Sequence, residues 1–278
     1  MKPTNQLMKI VVILLLFVTN VTISQEEQQY FITVTTMHWN MDKDDFNMDE
    51  WKAVEKEYLD KVTMKNEYVL STAVALHRYT PDNSELLYVQ VFDSWEAIDK
   101  AADRDGELIR AAWPDQAARR AYFEKRNDYY ADKHSDEIYV TMSGTKEVSG
   151  IKEGDEIIYA MRKSRFAFPK EGSGKEFNEL RDEYVKNVIH KNEYFKGYYP
   201  HAHMYGSDRR DYIEVFVVTS MDDLDKGLDN NGKLFREHWS DETARKEFGE
   251  KASKYFTGWH ADYIYTGVPE ISKPMAPQ

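Results

Sequence analysis

The feature that most constrains this sequence is an internal repeat. The stretch Lys65-Asn66-Glu67-Tyr68, followed by His77-x-Tyr79, returns as Lys191-Asn192-Glu193-Tyr194 followed by His203-x-Tyr205, an offset of 126 positions. At that offset, residues 30–140 align with residues 156–266 without a gap. Self-similarity with so long a period indicates a duplicated folding unit, so we expect two copies of one domain.

Each copy carries the same order of secondary-structure signals. A strand-like segment (30–39 and 156–165) is followed by a helix with a capping signal, a hairpin, further helical segments and a closing strand. This is the order of a ferredoxin-like unit. We therefore predict ferredoxin-like repeats at 25–142 and 156–267, a linker at 143–155 that contains three glycines, and a loose tail at 268–278.

The first 24 residues read as a cleaved signal peptide. Lys2 and Lys9 precede an apolar run at 10–18 and make the start of the chain positive, and small residues precede Gln25. The apolar run is much shorter than the roughly 20 residues needed to cross a bilayer, so we expect no stable membrane anchor. The sequence thus predicts export to the periplasm or the medium, with cleavage near Ser24-Gln25. Because the chain has no cysteine, its stability cannot depend on disulfides.

The charge balance argues against nucleic acid as a partner. The formal net charge is −12 and the sequence pI is about 5.2. Binding to a phosphate backbone needs a clustered basic surface that releases counterions, and no such cluster is evident in the sequence. A small molecule is the expected partner.

The layout of the repeats resembles a known superfamily. The segment Val91-Phe92-Asp93-Ser94-Trp95-Glu96-Ala97, which leads from a strand into a helix, and the duplication itself are similar to dimeric α/β-barrel proteins. That superfamily includes antibiotic-biosynthesis-type and haem-degrading monooxygenases. The resemblance implies an α+β fold in which two ferredoxin-like repeats pair their antiparallel sheets into one intramolecular α/β barrel. We therefore expect a monomer that contains an internal pseudo-dimer.

Alternation along the third strand of each repeat divides its side chains into two sets. Leu87, Val89 and Val91 match Ile213, Val215 and Val217, and this uniformly apolar set is expected to face the helices. The other set would line the barrel and contains Tyr88 in the first repeat and Glu214 in the second.

The same alternation defines a candidate pocket inside the barrel. His203, Tyr205 and Glu214 are the predicted catalytic residues, because imidazole, phenol and a desolvated carboxyl can exchange protons with a substrate. The remaining predicted pocket residues are His77, Tyr79, Tyr88, His201, Arg236 and Trp239. A histidine and tyrosine kept in both copies could equally be satisfied core residues.

No cofactor is the favoured prediction. His201 and His203 with Glu214 form only a partial set of ligands for a divalent metal. For haem, the resemblance implies a helical histidine, which His238 would supply in the second repeat, whereas the first repeat has Ala112. Two functions remain open: a small-molecule-binding barrel, with cofactor-independent oxygenase or isomerase activity by His/Tyr acid–base chemistry, or a non-catalytic protein with a filled barrel.

Overall fold

The computed structural model describes residues 28–276, so the predicted signal peptide lies outside the described residues. The first repeat comprises β1 (Phe31–His38), α1 (Met48–Lys61), β2 (Ser71–Tyr79), β3 (Glu85–Phe92), α2 (Trp95–Ala112), α3 (Gln116–Asn127) and β4 (Ser135–Thr141). The second comprises β5 (Ile158–Phe166), α4 (Gly174–Tyr184), β6 (Gly197–Tyr205), β7 (Asp211–Val218), α5 (Met221–His238), α6 (Glu242–Ser253) and β8 (Phe256–Gly267). None of the helices in this part of the chain is long and apolar enough to cross a membrane.

The first long helix of each repeat starts where the capping signals predict. The Asn47 side chain accepts a hydrogen bond from the Glu50 amide at 3.0 Å, and Ser173 accepts one from Glu176 at 3.1 Å. Each bond satisfies a backbone N–H that has no partner inside the helix.

The eight strands form one closed antiparallel barrel in the order β1-β3-β2-β8-β5-β7-β6-β4. Within each repeat the strands make a four-stranded sheet, and the pairs β2·β8 and β4·β6 join the two sheets. The predicted fold, a barrel built from two ferredoxin-like repeats of one chain, is therefore confirmed. Closure removes every open sheet edge, which a single repeat could not do.

The repeat is not gapless in its first strand. Ile32 pairs with Val91 in the first repeat, whereas Tyr159, and not Ile158, pairs with the matching Val217 in the second. β1 and β5 are therefore related by an offset of 127 and the other strands by 126. The first repeat carries one extra residue between its opening strand and α1.

The assignment of strand faces made from the sequence was wrong. Leu87, Val89 and Ile213 pack with lumen residues such as Val34 and Met161, so this apolar set lines the barrel. Phe216 and Val218 instead pack under the helices. Both faces of a barrel strand are buried, so alternation separates two sets without showing which one faces the helices.

The segment after β8 is not loose up to Lys273. Val268 and Ile271 are buried in the helix-side core of the first repeat. The backbone of Lys273 also pairs with Thr72 of β2, accepting from its amide and donating to its hydroxyl. The C-terminal segment thus ties the end of the second repeat to the first.

Candidate functional site

The predicted site residues fall into separate places. His201 pairs with Ile213 and His77 pairs with Tyr265, and both of these partners face the lumen. His203, two residues beyond His201, pairs with the lumen residue Tyr139. The three histidines therefore line the barrel.

Tyr79 and Tyr205 do not line the barrel. A register shift interrupts the pairing between His77 and Tyr79, and another interrupts it beside His203 and Tyr205. The two tyrosines are consequently 64% and 70% exposed at the end of the barrel. A bulge moves the following side chains off the expected face, which simple alternation does not anticipate.

Glu214 and Tyr88 lie on the helix side of the sheet. Glu214 pairs with Pro200 and Arg162, in phase with residues such as Phe216 that pack under the helices. The sheet therefore separates Glu214 from His201 and His203, and the partial metal set is not brought together. Residues 28–276 contain no group of three or more His, Asp or Glu side chains placed to hold a metal ion.

Trp239 and Arg236 also belong to the helix layer. Trp239 caps α5 and packs against Phe235 and Phe248, with ring centroids 4.8 and 4.2 Å away. Its carbonyl accepts a hydrogen bond from Arg245, as the carbonyl of Trp113 does from Arg119 in the first repeat. The tryptophan anchors the α5–α6 connection to the core rather than lining a barrel mouth.

Glu214 sits in a buried polar group between the sheet and α4. The Tyr198 hydroxyl donates to Glu214 Oε1 at 2.6 Å, and the Tyr212 hydroxyl lies 3.5 Å from that of Tyr198. Burial raises the pKa of Glu214 above its usual value, although hydrogen bonding from Tyr198 and the charges of Arg162 and Arg181 oppose the rise. Burial also raises the pKa of Tyr198 well above 10, so Tyr198 stays a proton donor.

Arg181 of α4 brings a buried positive charge to this group. The residue is 7% exposed, and its Nη2 donates to Ser143 and to Asp182. Its Nε and Nη1 atoms are buried and have no hydrogen-bond partner of good distance and angle, although the guanidinium lies near enough to the Tyr212 hydroxyl to oppose the rise in the pKa of Tyr212. A buried guanidinium N–H without an acceptor is costly, so these two atoms mark a place where an acceptor is missing.

This polar group adjoins partly exposed side chains on the helix side of the sheet. Arg162 and Asp262 form an ion pair at 2.8 Å with side chains 43% and 53% exposed, and Arg162 lies directly beside Glu214. Tyr184, half-buried at the end of α4, lies close enough for Glu214 to influence its pKa. α4 continues into a π-helical turn, Val185–Ile189, a distortion that is common at functional sites.

In the first repeat, an ion pair occupies the place that corresponds to Arg181. There Glu55, at the position of Arg181, receives a two-pronged ion pair from Arg126 of α3, with both N–O distances 2.9 Å. The Tyr130 hydroxyl donates to the same carboxylate at 2.7 Å. The position of Arg126 is occupied in α6 by Ala252. The second repeat therefore lacks the ion-pair partner that completes the first.

A second large side chain of α3 is also missing from α6. Phe123 packs edge-on against Tyr58 and Trp113, with ring centroids 6.3 and 5.8 Å away. Its equivalent is Gly249, where an added Cβ would meet no atom within 4 Å. α6 thus presents two much smaller side chains than α3.

Sequence reasoning singled out Glu214, although on the lumen face, and did not include Tyr198, Tyr212 or Arg181. Comparison of the two repeats does show that these three positions differ. Their first-repeat equivalents are Thr72, Leu86 and Glu55, so one position gains a hydroxyl, one exchanges threonine for tyrosine and one reverses its charge. The reversed charge at Arg181 is the clearest sequence difference between the two copies at this place.

Two histidines of the lumen have unusual surroundings. Burial lowers the pKa of His201 to about 4, so its imidazole is neutral at neutral pH. The Nε2 atom of His203 is buried without a hydrogen-bond partner.

The residues around α5 do not fit a haem. The Nε2 atom of the exposed His238 lies 3.2 Å from Glu183 of α4. The sheet-facing side of α5 is packed with Phe195, Phe216, Leu224 and Trp239.

No protein-family model and no curated protein matches the sequence. Among solved structures, a provisionally named monooxygenase from Fusobacterium nucleatum matches with a TM-score of 0.51 and 12% identity, covering 86% of this chain and 92% of that one. Another from Lactobacillus acidophilus gives 0.51 and 10%, covering 87% and 94%. A chlorite dismutase variant from Candidatus Nitrospira defluvii, in complex with cyanide, gives 0.50 and 12%, covering 88% and 93%.

At these identities the likeness concerns the fold alone. The chain therefore has the dimeric α/β-barrel fold, with both ferredoxin-like halves of the barrel supplied by one duplicated chain.

Proposed function

We propose that this protein binds a small aromatic molecule with an anionic oxygen between the sheet and helices of its second repeat, and that Glu214 exchanges a proton with it. The observation that carries the proposal is the pair of buried Arg181 nitrogen atoms without an acceptor beside Glu214. The same space is satisfied in the first repeat by Glu55 and Arg126.

The ligand class follows from the side chains that surround the site. An oxygen anion would accept from Arg181, since charge-assisted hydrogen bonds are the strong ones. Phe166, Phe177 and Phe256 cluster around Tyr212 with ring centroids 5.4 to 6.3 Å from it, which favours a planar ring.

Glu214 supplies the acid–base chemistry. Its raised pKa lets it keep a proton at a higher pH than a solvent-exposed glutamate and makes its carboxylate a stronger base. As a base it would take a proton from a carbon beside a carbonyl, or from the O–H of a phenol, leaving an oxyanion that faces Arg181. Return of that proton to another carbon is isomerisation. Reaction of the same anion with O₂ would instead start a cofactor-independent oxygenation. The monooxygenase names of two structural neighbours suggest this class of reaction.

The binding test uses 4-hydroxybenzoate as an aromatic anion, titrated calorimetrically into the full-length protein. We expect Arg181→Met to weaken binding about tenfold or more, because one charge-assisted hydrogen bond contributes roughly 1.5–3 kcal/mol. The matched control is Glu55→Gln at the equivalent position of the first repeat, which should leave affinity unchanged. Equal affinity in the parent and Arg181→Met would refute the proposal.

The chemistry is tested separately. Native mass spectrometry of protein purified from its own host should reveal a retained aromatic molecule, which is then supplied as substrate. Glu214→Gln should abolish turnover while preserving affinity, whereas Tyr88→Phe at the equivalent position should retain turnover. Oxygen consumption during turnover distinguishes oxygenation from isomerisation.

Export is part of the proposal. The apolar run preceded by Lys2 and Lys9 and the small residues before Gln25 favour a mature protein that begins near Gln25. N-terminal sequencing of exported protein checks this, and a sequence beginning at Met1 would contradict it.

A further inference from the structure

α4 carries a second hydrogen-bond donor beside the buried polar group. Tyr184 is the last residue of α4 and follows Arg181 by three positions, so the two side chains lie on the same face of the helix. Burial raises the pKa of Tyr184 to about 12, and the charge of the nearby Glu214 adds to the rise. The Tyr184 hydroxyl therefore keeps its proton at neutral pH and can donate a hydrogen bond beside Glu214.

The hydroxyl of Tyr184 has no acceptor within residues 28–276. Its ring is half-buried and packs against Phe235 of α5, with ring centroids 6.2 Å apart. In this part of the chain the phenol interacts with Glu214 and Arg162 through their charges, and no hydrogen bond joins it to either residue. A desolvated hydroxyl ordinarily finds an acceptor, so the unpaired donor calls for an explanation.

The first repeat shows what satisfies this tyrosine when it only supports the fold. Tyr58 occupies the equivalent position in α1. Burial raises the pKa of Asp105 of α2, and hydrogen bonds from Asn66 and Tyr58 oppose the rise. The Asn66 amide nitrogen lies 2.7 Å from Asp105 Oδ1. Because a carboxylate has two oxygen atoms, Asp105 can accept from both neighbours.

The second repeat has lost that acceptor. Asn231 occupies the position of Asp105, and its Oδ1 atom accepts from Asn192 Nδ2 at 2.7 Å. Asn192 Nδ2 also donates to the Gly227 carbonyl at 2.8 Å, which fixes this nitrogen as the donor and Asn231 Oδ1 as the acceptor. The other terminal atom of Asn231 is an amide nitrogen, which only donates. Arg181 and Tyr184 are therefore two neighbouring donors of α4 that lack well-placed acceptors.

We propose that the aromatic ligand carries a second oxygen atom, which accepts a hydrogen bond from Tyr184 while the anionic oxygen faces Arg181. This inference rests on the proposed function and narrows the ligand class to aromatic acids with a hydroxyl or carbonyl substituent. Tyr184 is then a specificity-determining residue. A ligand without the second oxygen leaves the tyrosine hydroxyl unpaired in the complex and binds more weakly.

The test compares 4-hydroxybenzoate with 4-methylbenzoate, which has the same carboxylate and a methyl group of similar size in place of the hydroxyl. Both compounds are titrated calorimetrically into the full-length protein, and the measured quantity is the ratio of their dissociation constants. We expect the preference for 4-hydroxybenzoate to fall about fivefold in Tyr184→Phe, because one neutral hydrogen bond changes affinity by about that factor. The matched control is Tyr58→Phe in the first repeat, which should leave the ratio unchanged.

Asn231→Asp provides a second variant, because it restores the carboxylate of the first repeat. The new carboxylate oxygen gives Tyr184 an acceptor inside the protein, so the same fall in the ratio is expected. The added charge acts equally on the two carboxylates and cancels in the ratio. A parent-like ratio in either folded variant would overturn the inference.

Arg181→Met separates this inference from the proposed function. It should weaken both compounds by the same factor, because both carry the carboxylate that faces Arg181. If it does so while Tyr184→Phe leaves the ratio unchanged, the proposed function stands and the role of Tyr184 is refuted. If neither compound binds saturably, or if Arg181→Met binds both as the parent does, both are refuted.

Discussion

At the scale of single residues, the duplication supplies an internal comparison for every polar group. His201 occupies the position of Ala75, so only the second repeat carries an imidazole there. Arg181 likewise replaces Glu55, and Glu214 replaces Tyr88. Each replacement puts an ionisable group where it is desolvated or lacks a partner, which a purely structural core does not require.

The low pKa of His201 predicts how stability depends on pH. An unfolded histidine binds a proton near pH 6.5, whereas folded His201 does so only near pH 4. Between these values the unfolded state holds more protons, so the parent loses stability as pH falls through this window. The loss is on the order of 3 kcal/mol, from about 1.4 kcal/mol for each pH unit in the window.

The variant His201→Ala copies the first repeat and should lose that pH dependence. The measurement is urea denaturation at several pH values between 4 and 7, comparing the parent with the variant. If the free energy of unfolding changed with pH in the same way in both proteins, the desolvation of His201 would be contradicted.

At the scale of elements, α3 and α6 carry the main difference between the repeats. Arg126 and Phe123 of α3 contact Glu55 and Tyr58 of α1, whereas α6 has Ala252 and the exposed Gly249 at the same positions. The caps, the strands and the connections around these helices are otherwise shared. The two repeats therefore differ in the side chains that these equivalent helices carry.

We expect Arg126→Ala to destabilise the protein by about 3–5 kcal/mol, because it leaves the buried Glu55 carboxylate without its ion-pair partner. Arg181→Met should cost far less, since two of its nitrogen atoms have no partner to lose. Denaturant midpoints of the two variants check this. A larger loss for Arg181→Met would mean that Arg181 is a structural residue.

Element order and barrel closure could be predicted from the sequence, because hydrophobic periodicity, helix caps and the repeat itself are local signals. The faces of β3 and β7 could not, since both faces are buried and Val89 is as apolar as Phe216. Tyr79 and Tyr205 were misplaced by bulges, which alternation does not encode. Arg181 was missed because a charged helical residue ordinarily faces solvent, and only tertiary packing buries it.

At the scale of the whole molecule, each repeat depends on the other to cover its lumen face and its edge strands. β2 and β4 pair with β8 and β6 of the second repeat, and the segment at Val268 and Ile271 completes the first repeat's helix-side core. The full chain should therefore be monomeric, because its own two sheets close the barrel.

Residues 25–148 expressed alone should form a homodimer or aggregate, because the exposed lumen face and open edges favour association. Analytical ultracentrifugation of this fragment beside the full chain checks the expectation. A soluble, folded monomeric fragment would contradict a barrel shared between the repeats.

We propose that this duplicated barrel has a ligand site in its second repeat and none at the equivalent place in its first. A crystal structure of the full-length protein soaked with 4-hydroxybenzoate tests this. We expect ligand density between the sheet and α4, with an oxygen within hydrogen-bond distance of Arg181, and no density near Glu55. Density in the first repeat, or equal density in both, would contradict it.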